Sequence, residues 1–164
     1  MPRKPRQLAA RSSQVKGHLE QKEEVVVLCI GTDRCTGDSL GPFVGTFLEE
    51  SRLKKIIVYG SISKPIHGEN IKERIEIIKE KHPNALMIAV DACLSDKEEI
   101  GTIKTMNEGL IPEASVGRDF SEVGNIAIKG VVAVKGIIGR IEIQNKITET
   151  IREKHVLFFC GHFY

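Results

Sequence analysis

Two aspartates beside apolar segments are the residues of this chain best suited to acid–base chemistry. Asp38 follows the apolar segment 24–30 through a short Gly-rich turn, and Asp91 ends the apolar run 86–90. A pair of carboxyl groups can divide the work of hydrolysis, because one accepts a proton from water while the other donates a proton to the substrate. We therefore hypothesise that Asp38 and Asp91 meet in one cleft.

The elements that would position this pair follow a β-α-β-α-β order. Continuous apolar, β-branched stretches are typical of strands covered on both faces. They occupy residues 24–30, 55–59 and 85–92, and helical spacing of apolar residues lies between them. Right-handed crossovers then favour an α/β fold of three layers around a mainly parallel central sheet.

The topology of such a sheet predicts where the two aspartates lie. In open α/β sheets, ligands bind beyond the carboxyl ends of the strands where the strand order reverses. With a sheet order of 2-1-3, the first and third strands are neighbours. Asp38, after the first strand, and Asp91, at the end of the third, would then open into the same crevice.

The surroundings suggest different roles for the two carboxyl groups. Pro42 is tolerated only in a first helical turn, so the first helix begins near Asp38 and its dipole favours a carboxylate there. Asp91 ends an apolar strand, where desolvation favours the protonated acid. Asp38 would activate water and Asp91 would donate a proton, although the reverse assignment stays open. Backbone N–H groups of residues 37–40 could bind an oxyanion.

Simpler interpretations exist for each residue taken alone. Asp38 could be an ordinary helix N-cap, and Asp91 could be a turn residue at a strand end. The turn GTDRCTGDS lacks both the GxGxxG pattern and the Gly-Lys-Ser/Thr ending of a phosphate-binding loop. Nucleotide binding is therefore not favoured, and no cofactor is predicted.

Candidate binding residues lie in the first turn and in the loop after the second strand. Arg34 could orient a substrate carbonyl or carboxylate, and His67 could face the same rim. The predicted binding set is Gly31, Thr32, Asp33, Arg34, Gly37 and His67.

Two other chemistries use the same region. Asp38, Asp91 and His67, with nearby cysteines, could form a metal site. Cys35 or Cys93 paired with His67 could act as a nucleophile. We favour the inert interpretation of both cysteines, because small thiols commonly fill packed turns.

Composition indicates one globular domain. The chain has 164 residues and a formal net charge of +2, which is too small to favour nucleic acid as a partner. Residues 1–22 are basic and polar, so we expect a flexible tail and a single α/β domain over residues 23–164. The tail could contact phosphates or acidic lipids. No apolar run is long enough to cross a bilayer, and we expect a cytoplasmic protein with reduced thiols.

The remaining segments carry weaker signals. Asn70 and Glu73 resemble a capping box that opens a second helix ending near residues 82–83. A short strand is expected over 99–105, a long loop over 106–124, a strand over 125–134 and a last helix over 140–154. The segment VLFFC, after that helix, could form another strand or a docking tail.

A family resemblance rests on several of these stretches. The runs CIGTDRCTGDSLGPFVG and IAVDACLS, with KPIHGEN, IGTI, VGNIAIKGVV and IQN, resemble the YyaC-type sporulation proteins of spore-forming bacteria. The first two runs are more remotely similar to the spore germination protease and to hydrogenase-maturation endopeptidases. This resemblance implies a phosphorylase/hydrolase-like fold, and it maps the two essential aspartates of the germination protease onto Asp38 and Asp91.

The resemblance also implies a biological setting. It suggests a peptidase of the forespore or spore core that acts on a protein or peptide, with small acid-soluble spore proteins as candidate substrates. Two rivals stay open: a non-catalytic peptide- or protein-binding module, and a metal-dependent hydrolase. Homo-oligomer formation is a further expectation that the sequence leaves open.

Overall fold

Five strands and two α-helices form an α/β fold in the described part of the chain. The computed structural model describes residues 24–51, 53, 56–112 and 122–134. The elements in chain order are β1 (Val25–Cys29), α1 (Leu40–Glu50), β2 (Ile56–Tyr59), α2 (Ile71–Lys81), β3 (Leu86–Ser95), β4 (Ile103–Met106) and β5 (Ile126–Val134). Short 3₁₀ turns span Thr36–Asp38 and Lys97–Glu99.

The sheet has the order β2-β1-β3-β5-β4. β1 pairs in parallel with β2 and β3, and β3 pairs in parallel with β5. β4 is antiparallel to β5. The predicted 2-1-3 order and the mainly parallel sheet are therefore confirmed.

Each face of the sheet carries its own layer of core residues. Val26 and Leu28 pack with Ile71, Ile75 and Ile78, three residues on one stripe of α2. On the opposite face, residues of β1 and β3 pack against Leu48 and the half-buried Val44 of α1, the other helix of the three-layer fold.

Helix α1 lies close to the sheet because two glycines face it. A Cβ on Gly41 would overlap the backbone of Ile30, and a Cβ on Gly45 would lie 2.8 Å from the carbonyl oxygen of Gly60. Because the glycine side of α1 faces the sheet, Phe43 points outward and is 37% exposed.

Strand β3 is longer than the sequence indicated. Its predicted end was residue 92, but it continues to Ser95 because β5 pairs with it as far as Val134. A register shift between Cys93 and Leu94, with Val132 as the extra residue of β5, lets this pairing continue. Asp91 therefore lies within β3 and does not close it.

Two other expectations meet a different structure, and the loop after β4 contains a bridge that the sequence did not predict. Asn70 makes no side-chain cap bond, so the capping box is not formed. Strand β4 covers Ile103–Met106, and a 3₁₀ turn occupies part of the expected strand 99–105. The loop after β4 is closed by mutual backbone hydrogen bonds of 2.9 Å between the buried residues Leu110 and Val123.

Some predictions lie outside the described residues. These are the basic tail over 1–22, the helix over 140–154 and the segment VLFFC. Within the described ranges, neither helix has the length and apolarity needed to cross a membrane.

Candidate active site

The turn after β1 brings Asp38 back over the end of that strand. The Asp38 carbonyl oxygen accepts a hydrogen bond from the Thr32 N–H at 3.0 Å, and the Asp38 N–H donates to the Cys35 carbonyl at 2.9 Å. Gly31 has a φ of 137°, and a Cβ there would overlap the Asp38 carbonyl oxygen. Glycine at this position is therefore a condition of the turn geometry.

Asp38 itself is half-buried in the 3₁₀ turn, next to the start of α1. The N-cap of α1 is Ser39, which makes no side-chain cap bond. The interpretation of Asp38 as an ordinary N-cap is therefore wrong, whereas its expected place beside the helix N-terminus is confirmed.

Asp91 lies at the level where β1 ends. Cys29 pairs with Val90, and the Ile30 N–H donates to the Val90 carbonyl at 2.8 Å. The next residue of β3 is Asp91, which is only 3% exposed. It lies on the same face of the sheet as Met87 and Ala89, which is the α2 face.

The structure brings the segments of the two aspartates together. The 3₁₀ turn Thr36–Asp38 is in contact with β3, the strand that carries Asp91. Asp38 thus follows the carboxyl end of β1, and Asp91 lies in β3 at the level of that end, on the side of the sheet where this fold class binds ligands. The placement offers one buried and one half-buried carboxyl group in neighbouring segments.

Three other residues of the turn lie on the surface. Asp33, Arg34 and Cys35 are exposed, and the Arg34 N–H donates to Oγ1 of Thr32 at 3.3 Å. A Cβ added to Gly37 would meet no atom within 4 Å. Their assignment to substrate binding stays a prediction.

His67 holds its own loop together. Its N–H donates to Oδ1 of Asn70 at 2.9 Å, and its carbonyl oxygen accepts from the N–H groups of Asn70 and Ile71. The Asn70 side chain also donates to the Pro65 carbonyl at 3.1 Å. This loop role is the physical reason why Asn70 does not cap α2.

The loop of His67 joins β1 on the side opposite to Asp91. The Gly31 N–H donates to the carbonyl of Ile66, and Ile66 bridges Ile30 on the β2 side. Across the described ranges, no group of three His, Cys, Asp or Glu side chains is arranged to hold a metal ion. The alternative metal site of Asp38, Asp91 and His67 is therefore not found.

Sequence reasoning missed two lysines near Asp91. Lys129 of β5 is the register partner of Asp91, and Lys104 of β4 is the register partner of Lys129. Paired residues of neighbouring strands project on the same face. The sequence contained the signal only as the polar residue within IAIKGVV, and the strand pairing was needed to interpret it.

A hydrogen-bonded cluster closes the end of β3. Lys104 Nζ donates to Ser95 Oγ at 2.9 Å and to Glu99 Oε2 at 2.7 Å, and the Ser95 hydroxyl donates to the same Glu99 oxygen. A serine beside a lysine resembles a nucleophile and its base. Here the Glu99 carboxylate forms an ion pair with the ammonium, so the cluster is a structural anchor for the start of β4.

The described cysteines differ in environment. Cys35 is exposed, whereas Cys29 and Cys93 are buried. Burial, followed by the nearby Glu49 carboxylate, strongly raises the pKa of the Cys29 thiol. A thiol held in its protonated form is a poor nucleophile, and this supports the inert interpretation of Cys29.

Comparisons with known proteins identify a family and a relative of this chain. A family model described as "Protein of unknown function (DUF1256)" matches residues 4–158. Uncharacterized protein YyaC of Bacillus subtilis (strain 168) is 45% identical over 121 residues, which are 74% of this chain and 59% of that protein. The chain thus spans 59% of the length of this relative.

Two solved structures align with most of this chain. A NiFe hydrogenase maturation protease, HycI from Thermococcus kodakarensis KOD1, aligns with a TM-score of 0.56 and 16% identity. The alignment covers 92% of this chain and 98% of that one. An uncharacterized protein from Wolinella succinogenes aligns at a TM-score of 0.44 and 13% identity, over 86% of this chain and 99% of that one. The expected likeness to hydrogenase-maturation endopeptidases is confirmed for the fold; the likeness to the germination protease stays a prediction.

Proposed function

We propose, from the premise that this chain belongs to the DUF1256 family and has the α/β fold of the HycI protease, that it is a peptidase whose catalytic groups are Asp38 and Asp91. The observation that carries the proposal is the contact between the 3₁₀ turn Thr36–Asp38 and β3 at the level where β1 ends. That contact supports the meeting of a half-buried and a buried aspartate in one crevice.

The reaction is the hydrolysis of a peptide bond by an activated water. Asp38 takes a proton from water, and the resulting hydroxide attacks the carbonyl carbon of the substrate. Asp91 donates its proton to the carbonyl oxygen, which gives a neutral tetrahedral diol. As the C–N bond breaks, Asp38 passes its proton to the leaving amine and a hydroxyl of the diol returns a proton to Asp91. The contrast between Asp38 and the more deeply buried Asp91 supports this division of roles.

The biological setting belongs to the same proposal. The motif resemblance to YyaC-type sporulation proteins is the basis for a role in sporulation or germination, with small acid-soluble spore proteins as the first substrates to offer. A cytoplasmic location in the forespore or spore core fits those substrates. Arg34 in the exposed turn would orient the substrate carbonyl.

The test compares two aspartates of the site with one outside it. Asp38→Asn and Asp91→Asn should each lower kcat for cleavage of small acid-soluble spore proteins or of a peptide library by about 10²-fold or more, as for loss of a general acid or base. Asp96→Asn is the control, because Asp96 is exposed after β3 and makes no side-chain cap bond.

Three outcomes separate the hypotheses. Cleavage that persists undiminished in both variants would remove the proposed mechanism. Stable capture of peptides without turnover would favour a binding module, and cleavage that requires added metal would favour a metal-dependent hydrolase.

A further inference from the structure

Three side chains that can carry charge lie in one row across the second half of the sheet. Asp91 of β3 is the register partner of Lys129 of β5, and Lys129 is the register partner of Lys104 of β4. Neighbouring strands of a sheet are about 4.8 Å apart. The side chains of Asp91 and Lys129 therefore start from adjacent positions, and Lys104 lies one strand further.

The packing around β5 shows which face of the sheet this row occupies. Ala127, two residues before Lys129, packs in the core cluster of the α2 face. A Cβ on Gly130 would overlap the Leu40 side chain of α1, so Gly130 faces the other helix. Side chains alternate between the two faces along a strand. Lys129 therefore lies on the α2 face, which is also the face of Asp91.

Asp91 and Lys129 differ in their exposure to water. Asp91 is 3% exposed, whereas Lys129 is half-buried. A carboxylate is costly to form where water is excluded, and a positive charge nearby lowers that cost. The lysine ammonium is a compact positive charge at the end of a long side chain. Lys129 is thus placed to offset the burial of an Asp91 carboxylate.

The second lysine of the row is already engaged. Lys104 Nζ donates to Glu99 Oε2 at 2.7 Å, and the two charges form an ion pair. The same ammonium donates to Ser95 Oγ at 2.9 Å. The charge of Lys104 is thus balanced at the start of β4, so Lys129 is the lysine of the row that acts on Asp91.

The other groups around Asp91 are acidic, neutral or exposed. The turn in contact with β3 carries the Asp38 carboxyl group, whose negative charge would oppose a second carboxylate. Arg34 of the same turn is exposed. Cys93, the next residue of β3 on this face, is a buried thiol. Helix α2 places three apolar side chains on this face, those of Ile71, Ile75 and Ile78.

We propose that Lys129 is a positioning residue of the site, and that its ammonium stabilises the carboxylate that Asp91 forms when it gives up its proton. The place of this step in a reaction rests on the proposed function. There Asp91 donates a proton to the carbonyl oxygen, is negatively charged while the diol persists, and takes a proton back as the C–N bond breaks. A positive charge fixed in advance favours that charged stage and the transition states on either side of it.

The first test observes Asp91 directly and requires no turnover. The whole chain is labelled with carbon-13 at its aspartate carboxyl groups, and the NMR resonance lost in Asp91→Asn assigns Asp91. We expect Lys129→Met to move the midpoint of the Asp91 titration to higher pH by about 1 pH unit, because the carboxylate loses its nearby cation. Lys129→Arg keeps the charge and should hold the midpoint near that of the wild type. Lys72→Met, which removes an exposed lysine of α2, is the matched control.

Kinetics provide the second test. In Lys129→Met we expect kcat for peptide cleavage to fall about tenfold with KM nearly unchanged, and in Lys129→Arg we expect most of the activity to remain. The decline of kcat at high pH, where Asp91 has already lost its proton, should move to higher pH in Lys129→Met. A residue that only packs would not move this decline. Thermal unfolding shows whether Lys129→Met folds, and Lys129→Gln takes its place if it does not.

The outcomes separate this inference from the proposed function. A raised Asp91 midpoint without cleavage of any peptide supports the role of Lys129 and refutes the peptidase. Cleavage with the same Asp91 midpoint in Lys129→Met and the wild type overturns the role of Lys129 and leaves the peptidase standing. An equal rise in Lys72→Met also overturns it, because the effect would then not depend on the place of Lys129 beside Asp91.

Discussion

At the scale of single residues, the geometry of the candidate site depends on glycine at position 31. The Asp38 carbonyl oxygen lies where a Cβ would be, Pro42 Cδ would lie 3.1 Å from it, and φ is 137°. Both the space and the backbone conformation therefore disfavour any larger residue. The position of Asp38 is therefore secured by a residue that has no side chain.

We expect Gly31→Ala to destabilise the protein by roughly 2–4 kcal/mol, because strain at a positive φ adds to the steric overlap. Gly37→Ala is the matched control, since a Cβ at Gly37 meets nothing within 4 Å. Urea denaturation followed by circular dichroism measures both variants. Equal midpoints for the two would contradict the geometry of the turn.

The sequence predicted the positions of some candidate residues but not of others. Asp38 was accessible from sequence because Pro42 limits where α1 can begin. The places of Lys129 and Lys104 were not accessible, because they depend on strand register, and register is set by long-range pairing. The backbone and the ring of His67 both make hydrogen bonds within its own loop, and the assignment of His67 to substrate binding stays a prediction.

At the scale of elements, a hydrogen-bonded chain joins β1, β2 and α2 at the amino-terminal edge of β1. His82 Nδ1 lies 2.7 Å from Glu24 Oε2, and His82 Nε2 lies 2.9 Å from the Tyr59 hydroxyl. His82 is 8% exposed. His82 follows α2, and its ring connects Glu24, just before β1, to Tyr59, the last residue of β2.

We expect His82→Ala to lower the free energy of unfolding by roughly 1–3 kcal/mol, because the substitution leaves a partly buried tyrosine hydroxyl without its partner and breaks the link to Glu24. Lys81→Ala, at the exposed neighbouring position, should change stability by less than about 0.5 kcal/mol. Chemical denaturation measures both variants. A loss of similar size in the two would show that the chain of hydrogen bonds contributes nothing.

The lengths of the elements show what local patterns miss. The apolar run that marks β3 contains an aspartate, a cysteine and a serine toward its end, so a local pattern ends the strand too early. Pairing with β5 extends it to Ser95. Similarly, Asn70 and Glu73 have the spacing of a capping box, but the loop before α2 uses the asparagine side chain first.

At the scale of the whole molecule, the thiol of Cys29 reports on the integrity of the sheet. Cys29 lies in β1 between β2 and β3 and is completely buried. Its reaction with a thiol reagent therefore requires the sheet to open. The exposed Cys35 needs no such opening.

We expect iodoacetamide to label Cys35 at once and Cys29 at least about a thousandfold more slowly, in proportion to the unfolded fraction. Mass mapping of the labelled peptides distinguishes the sites. Folding raises the pKa of the Cys29 thiol above its ordinary value of 9.0. Just above pH 9.0 the unfolded chain therefore loses the thiol proton, whereas the folded chain keeps it. The contribution of Cys29 to stability is thus complete below pH 9.0 and declines above it. Rapid labelling of Cys29 in the native protein would contradict this account.

The overall architecture was the most predictable level. The β-α-β-α-β order restricts the topology to a few arrangements, and the parallel 2-1-3 core follows from it. The second half of the sheet did not follow, because one strand there runs in the opposite direction and its partner comes later in the sequence.

That order of pairing has a consequence for synthesis. β4 leaves the ribosome before β5, yet β5 is the strand that separates it from β3. Until residues 126–134 have left the ribosome, β4 lacks the strand with which it pairs in the native sheet. Among the described strands, the last to be synthesised is therefore inserted between two earlier ones.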